Sequence, residues 1–144
     1  MSATTVAAPV TGPVTAARRI AHRTVWTLQI LVGVFFVVAS SAPKFFGEAY
    51  AVALFEEIGA GQWFRYLVAV LELAGGVGLL VPWLAGAAAI GLMGLMIGAG
   101  YTQAVVLHAP EMVTTPAILF ALCAVFAYAR RNRIADILPA RIRG

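Results

Sequence analysis

Between residues 66 and 110 the chain runs for 45 positions with one formally charged residue, Glu72. A membrane-spanning helix needs about 20 mostly apolar residues to cross a hydrocarbon core about 30 Å thick. The stretch is therefore long enough for two spans joined by a tight turn. Pro82-Trp83, with Gly86 just after, is the natural break, because proline lacks an N–H and tryptophan favours the membrane interface. Two further uncharged runs flank it. Residues 24–43 follow Arg18, Arg19, His22 and Arg23, and residues 112–129 stop at Arg130-Arg131-Asn132-Arg133. The expected spans are residues 24–43, 63–81, 84–107 and 112–129, with Pro116 in the first turns of the last. The fold class that follows is all-α, a four-transmembrane-helix bundle.

Composition agrees. Of the 144 residues 62% are hydrophobic and 11% charged, with a mean hydropathy of +0.92. A soluble domain carries about a quarter charged residues, so this chain cannot cover a water-facing surface. Its partner is the lipid bilayer. The net charge of +4 does not imply a nucleic-acid partner, because eight of the ten basic residues sit near the two ends and the middle is lipid-like. The positive-inside rule then predicts a multi-pass protein of the cell (inner or plasma) membrane with both termini cytoplasmic. Arg18-Arg19 and the small residues before Pro43 imitate a cleaved signal peptide, but the apolar run exceeds the usual signal core and is expected to remain as helix one. The expected organisation is a flexible basic tail over 1–23, a membrane domain over 24–130 and a basic tail over 131–144.

The loop over residues 45–62 is too long for a simple turn and places Tyr50, Leu54, Phe55 and Ile58 among glutamates. It predicts a short amphipathic helix on the outer surface between helices one and two, ended by Gly59-Ala60-Gly61. Helix three carries Ala87, Gly91, Gly94 and Gly98 at spacings of four, three and four, and helix two carries Ala69, Gly75, Gly76 and Gly78. Such small residues admit close helix approach, within the chain or in a homo-oligomer.

Glu72 is the residue to explain. It lies seven positions inside Arg65, about 10 Å along the helix, and a charge near a helix centre costs roughly 2.5 to 3.5 kcal/mol on insertion scales. Nine Leu and Val residues in helix two offset that cost, and the acid is expected to face protein. Arg65, Ala69, Glu72 and Gly76 form one stripe. At similar depth stand Tyr101, Thr102 and Gln103 on helix three and Ser40 and Ser41 on helix one, with Lys44 at the rim. His108 follows Tyr101 two turns further out. These residues predict a polar layer in the outer half of the bundle: a ligand or proton site of Glu72, Tyr101, Gln103, Lys44, Arg65 and His108. Glu72 is either a paired or protonated carboxylate that fixes helix register, or a working acid. No metal site is expected, since no second His or Cys accompanies His108. No cofactor is expected either: Cys123 is a lone thiol, and His22 and His108 fall on opposite membrane sides.

Several segments together carry a resemblance: Ser41-Ala42-Pro43-Lys44-Phe45, Ile58-Gly59, Leu71-Glu72-Leu73-Ala74-Gly75-Gly76, Leu79-Leu80-Val81-Pro82 and Met96-Ile97-Gly98-Ala99. Over residues 26–130 the chain resembles the DoxX-like family of small four-helix integral membrane proteins. It departs in having Ser41 where the family usually has glycine, and Thr102-Gln103 where helix three often carries a histidine. The resemblance implies a membrane partner of redox or quinol-oxidising enzymes, or of thiol and superoxide defence proteins. The function expected is a non-enzymatic accessory subunit of a membrane redox or oxidative-stress assembly, with a polar pocket around Glu72 and a membrane redox enzyme as partner. The alternative is a small proton-coupled transporter of a cationic or hydrophobic molecule, although the strong Lys/Arg bias argues against the smallest multidrug exporters. An enzyme acting on quinone or lipid has no recognisable catalytic constellation.

Overall fold

The computed structural model describes residues 13–132, so the tail expected over 131–144 and the first twelve residues lie largely outside the described region. All regular elements among the described residues are helical. α1 (Pro13–Val34) continues without a break through a π-helical stretch, Phe35–Ser41, into α2 (Ala42–Phe46). Then come α3 (Ala49–Ile58), α4 (Gln62–Leu80), α5 (Ala85–Tyr101) with a π-helical extension Thr102–Val106, and α6 (Thr114–Ala129) behind a 3-10 turn, Pro110–Val113. Among the described residues four helices are long and apolar enough to cross a membrane: Ala16–Phe46, Gln62–Leu80, Ala85–Val106 and Pro110–Ala129.

The first span differs from its expected bounds at both ends. It begins at Pro13 and passes through Pro43 to a left-handed stop at Gly47, whose φ is 68°. Its 31 residues from Ala16 to Phe46 rise about 46 Å, longer than a hydrocarbon core. The arginines before Trp26 therefore ride on a helical extension beyond the apolar run, and all of them are exposed. Passage through Pro43 goes with the π stretch just before it. A proline ring crowds the carbonyl four residues back and supplies no N–H, and a wider turn relieves both. Side chains bond carbonyls of the same stretch: Ser41 Oγ donates to Val37 O at 2.8 Å and Lys44 Nζ to Ser40 O at 2.9 Å.

Successive spans pack on one another, α1 on α4, α4 on α5 and α5 on α6, and α6 closes the ring against α1. Val32, Phe36, Leu79, Ala89, Leu92, Met96, Cys123 and Phe126 fill the middle. Glycine sets two of these crossings. A Cβ on Gly76 would stand 2.9 Å from Gly33 O, and one on Gly33 would stand 3.0 Å from Gly76 O, so α1 and α4 touch backbone to backbone. Gly75 and Gly78 instead make room for side chains of α5, since an added Cβ would meet the Leu92 side chain at 2.5 Å and the Ala88 methyl at 2.7 Å.

The glycines of α5 behave otherwise. Ala87, Gly91, Gly94 and Gly98 are exposed, and nothing lies within 4 Å of a Cβ built on any of the three glycines. Of the two uses such residues admit, close packing within the chain is not the one these glycines make, because α5 turns Ala85, Ala89, Leu92 and Met96 inward and its small stripe outward.

The amphipathic helix between the first two spans is present as α3. The Glu48 carboxylate caps it by accepting from the N–H groups of Tyr50 and Ala51, and Gly59, at φ 76°, ends it. Its apolar face packs on α4, with the rings of Phe55 and Phe64 5.8 Å apart, while Glu56 and Glu57 stay exposed. At both ends of the bundle large aromatics stand exposed, Trp63 beside α3 and Trp83 at the opposite turn, as residues at a membrane interface do.

Candidate functional site

The acid on α4 lies where its stripe predicts. Arg65, Ala69, Glu72 and Gly76 are all buried, and Glu72 is only 5% exposed. The close Gly33–Gly76 crossing brings α1 against this stripe. Lys44, beyond the π stretch, folds back one helical turn to reach it. Its Nζ donates to Glu72 Oε2 at 2.8 Å, to Ser40 O at 2.9 Å and to Ser40 Oγ at 3.3 Å. The three N–H donors of the ammonium are thus all engaged. The lysine offsets the cost of burying the carboxylate in a low-dielectric interior, and each charge is the condition for the other.

This pair forms one wall of a cavity of about 310 Å³. Ser40 and Phe35 come from the first π stretch, Thr102 and Gln103 from the second, and Leu54, Phe55 and Ile58 of α3 roof it. Both π stretches therefore open onto the same space. In the second, Leu107 N donates to Thr102 O at 2.9 Å, five residues apart, and Thr102 Oγ1 donates to Gly98 O at 2.9 Å. A π turn displaces side chains from the positions an α-helix would give them, and such turns recur at functional sites. Apart from Thr115 the rest of the lining is apolar, with Val68, Met96, Pro116 and Leu119 prominent.

Of the residues expected at the site, Glu72, Lys44 and Gln103 come together here, with Ser40 and Thr102 beside them. Arg65 is buried but stands outside the cavity. It donates through Nη1 to Lys44 O and through Nε to Gln62 Oε1 at 2.6 Å, and it stacks 4.3 Å from the Tyr66 ring centroid. It thereby satisfies a carbonyl in the last turn of the first span, where cations are favoured. Tyr101 is 62% exposed and shares the outward stripe of Gly94 and Gly98. His108 is exposed in the α5–α6 connection at φ 51°. The expectation for His108 counted two α-helical turns from Tyr101. The π extension takes up extra residues and the helix ends at Val106, so Leu107 lines the cavity instead. Ser41 is buried on its own backbone bond and stays out of the cavity.

A second polar cluster, at the far end of the bundle, went unnoticed in the sequence. Gln29, fully buried, donates from Nε2 to Leu79 O at 2.5 Å, and its Oε1 accepts from Arg130 Nε at 3.2 Å. The Arg130 guanidinium also lies 4.8 Å from the Trp26 ring. This ties α1, α4 and α6 together where the chain enters and leaves the bundle. The available signal was Gln29 itself, an amide within an otherwise apolar run. Among the described residues no group of three His, Cys, Asp or Glu side chains could hold a metal ion.

The family description that matches this sequence, over residues 27–126 and hence more than two thirds of the chain, is that of a DoxX-like family. No curated protein and no solved structure matches.

Proposed function

Starting from the fact that this chain belongs to the DoxX-like family and is an integral membrane protein, we propose that it is a non-enzymatic accessory subunit of a membrane redox or oxidative-stress assembly, and that its working part is the cavity beside Lys44 and Glu72. The observation that carries this reading is the ion pair itself, at 2.8 Å on the wall of a largely apolar cavity. A staple for helix register needs no cavity beside it. The pair also weighs against the transporter reading, in which Glu72 would exchange protons. Each exchange would have to take the carboxylate charge from Lys44 and leave the ammonium, on its two bonds to Ser40, without a counter-ion.

The setting belongs to the same proposal. The charge bias supports the cell membrane with both ends of the chain cytoplasmic, which puts Lys44, α3 and the cavity toward the outer face. The outward glycines of α5 support contact with another chain, either a membrane redox enzyme or a second copy.

The test is to purify the tagged protein in mild detergent from its native membrane and identify what accompanies it. The expected result is a membrane oxidoreductase or an oxidative-defence protein in fixed ratio. The opposing result is a protein free of such partners that drives proton-coupled uptake of a small molecule in proteoliposomes.

A further inference from the structure

Three features around the cavity have no use in the description above. Gln103 Oε1 is buried with no hydrogen-bond partner among the described residues. Lys44 engages only Oε2 of Glu72, which leaves Oε1 as an acceptor on the cavity wall. Gly94 and Gly98 line the cavity and are at the same time exposed on the outside of α5, with no atom within 4 Å of a Cβ built on either. An unsatisfied amide at membrane depth is costly, since no water is at hand to replace the missing bond. Its terminal torsion is soft, so either end of the amide can turn to the cavity. A wall made of glycine backbone is open where other residues would close it.

We propose that the cavity receives an uncharged molecule with an apolar body and one hydroxyl group, taken laterally from the bilayer through the gap at Gly94 and Gly98. A hydroxyl matches this wall because it both donates, as Gln103 Oε1 and the free Glu72 Oε1 require, and accepts, as the Gln103 amide N–H offers when the amide is turned. The molecule is uncharged because the two ionic groups on the lining, Lys44 and Glu72, already neutralise each other. A charged ligand would have no counter-ion in a low-dielectric space. The apolar body follows from the lining, from Phe35 and Val68 to Met96 and Leu119. Access from the side follows from the glycines, since the way in from above is roofed by Leu54, Phe55 and Ile58 of α3.

This inference rests on the proposed role of the cavity and names what it holds. Its test uses the full chain in phosphatidylcholine nanodiscs, with 4-propylphenol, propylbenzene and 4-propylbenzoate as probes and empty nanodiscs as the partition control. The readout is the Gln103 side-chain amide resonance, assigned by its loss in Gln103→Leu. The phenol should shift that resonance saturably, propylbenzene should bind about tenfold more weakly for want of the hydroxyl, and the benzoate should not bind. Propylbenzene binding as tightly as the phenol, saturable benzoate binding, or a phenol that leaves the Gln103 resonance unmoved would overturn the ligand class. Apart from that assignment, these comparisons are made on the unsubstituted chain. For the way in, Gly98→Leu should slow exchange of the phenol while Gly91→Leu, equally exposed but away from this cavity, should not. Unslowed exchange in Gly98→Leu would overturn the lateral gap. Partner capture from native membranes reads the accessory role separately, so a cavity that ignores all three probes and a chain that captures no partner are distinct failures.

Discussion

Lys44 directs all three of its donors into one wall of the cavity, two to Ser40 and one to Glu72. Removing either member of the pair leaves the other charge desolvated and unpaired, which typically costs 3 to 5 kcal/mol. Glu72→Gln and Lys44→Met should therefore each lower the melting temperature in detergent. The double variant Lys44→Met/Glu72→Gln should recover most of the loss, because no charge is then stranded. Equal losses that simply add would show that the two residues do not work as a pair. Glu72 was legible in the sequence because a lone charge in 45 residues must face protein and need a partner. That the partner is Lys44 rather than Arg65 was not legible. Arg65 lies on the same stripe of α4, but its position at the helix start lets it reach the last turn of the first span instead. Choosing between two cations on different helices requires the Gly33–Gly76 crossing, which no local pattern encodes.

Small residues mean different things on α4 and α5. On α4 they lie at helix crossings, and Gly76→Ala would press a methyl group to 2.9 Å from a backbone oxygen that cannot turn aside. Overpacking of this kind costs about 1 to 3 kcal/mol, so Gly76→Ala should lower the melting temperature. Gly91→Ala meets open space and should leave it unchanged or slightly raised, since alanine favours helix over glycine. A reversed order in a single series of thermal melts would contradict the assignment of faces. The sequence displayed small residues on both helices, and their spacing alone does not say which face is inward. Leu92 and Met96 decide it, because they fill the core from the opposite side of α5. Span number and approximate bounds were readable from charge-free length. The two π stretches were not, because they depend on how one turn accommodates Pro43 and on how the α5 extension ends; the second shifts His108 out of the layer that regular helical spacing predicts, while Tyr101 leaves that layer with the outward glycine stripe of α5.

At the scale of the whole molecule, the bundle has two unlike polar ends. One holds Gln29 and Arg130 near the two ends of the described chain, and the other holds the cavity under α3. If the charge bias sets orientation, a single cysteine at Ala53 on a Cys123→Ala background should react with an impermeant thiol reagent in intact cells, and one at Ala140 should react only after permeabilisation. Labelling in the reverse order would place the cavity on the cytoplasmic side. The central claim is that the Lys44–Glu72 cavity is a working part of an assembly and not only a brace between helices. The double variant Lys44→Met/Glu72→Gln separates these, since it is expected to keep the brace while changing the wall. The most direct measurement is the amount of native partner retained by this variant in mild detergent, compared with wild type at matched melting temperature. The account predicts a folded protein that loses its partner. A double variant that is equally stable and retains the partner in the same amount would contradict it.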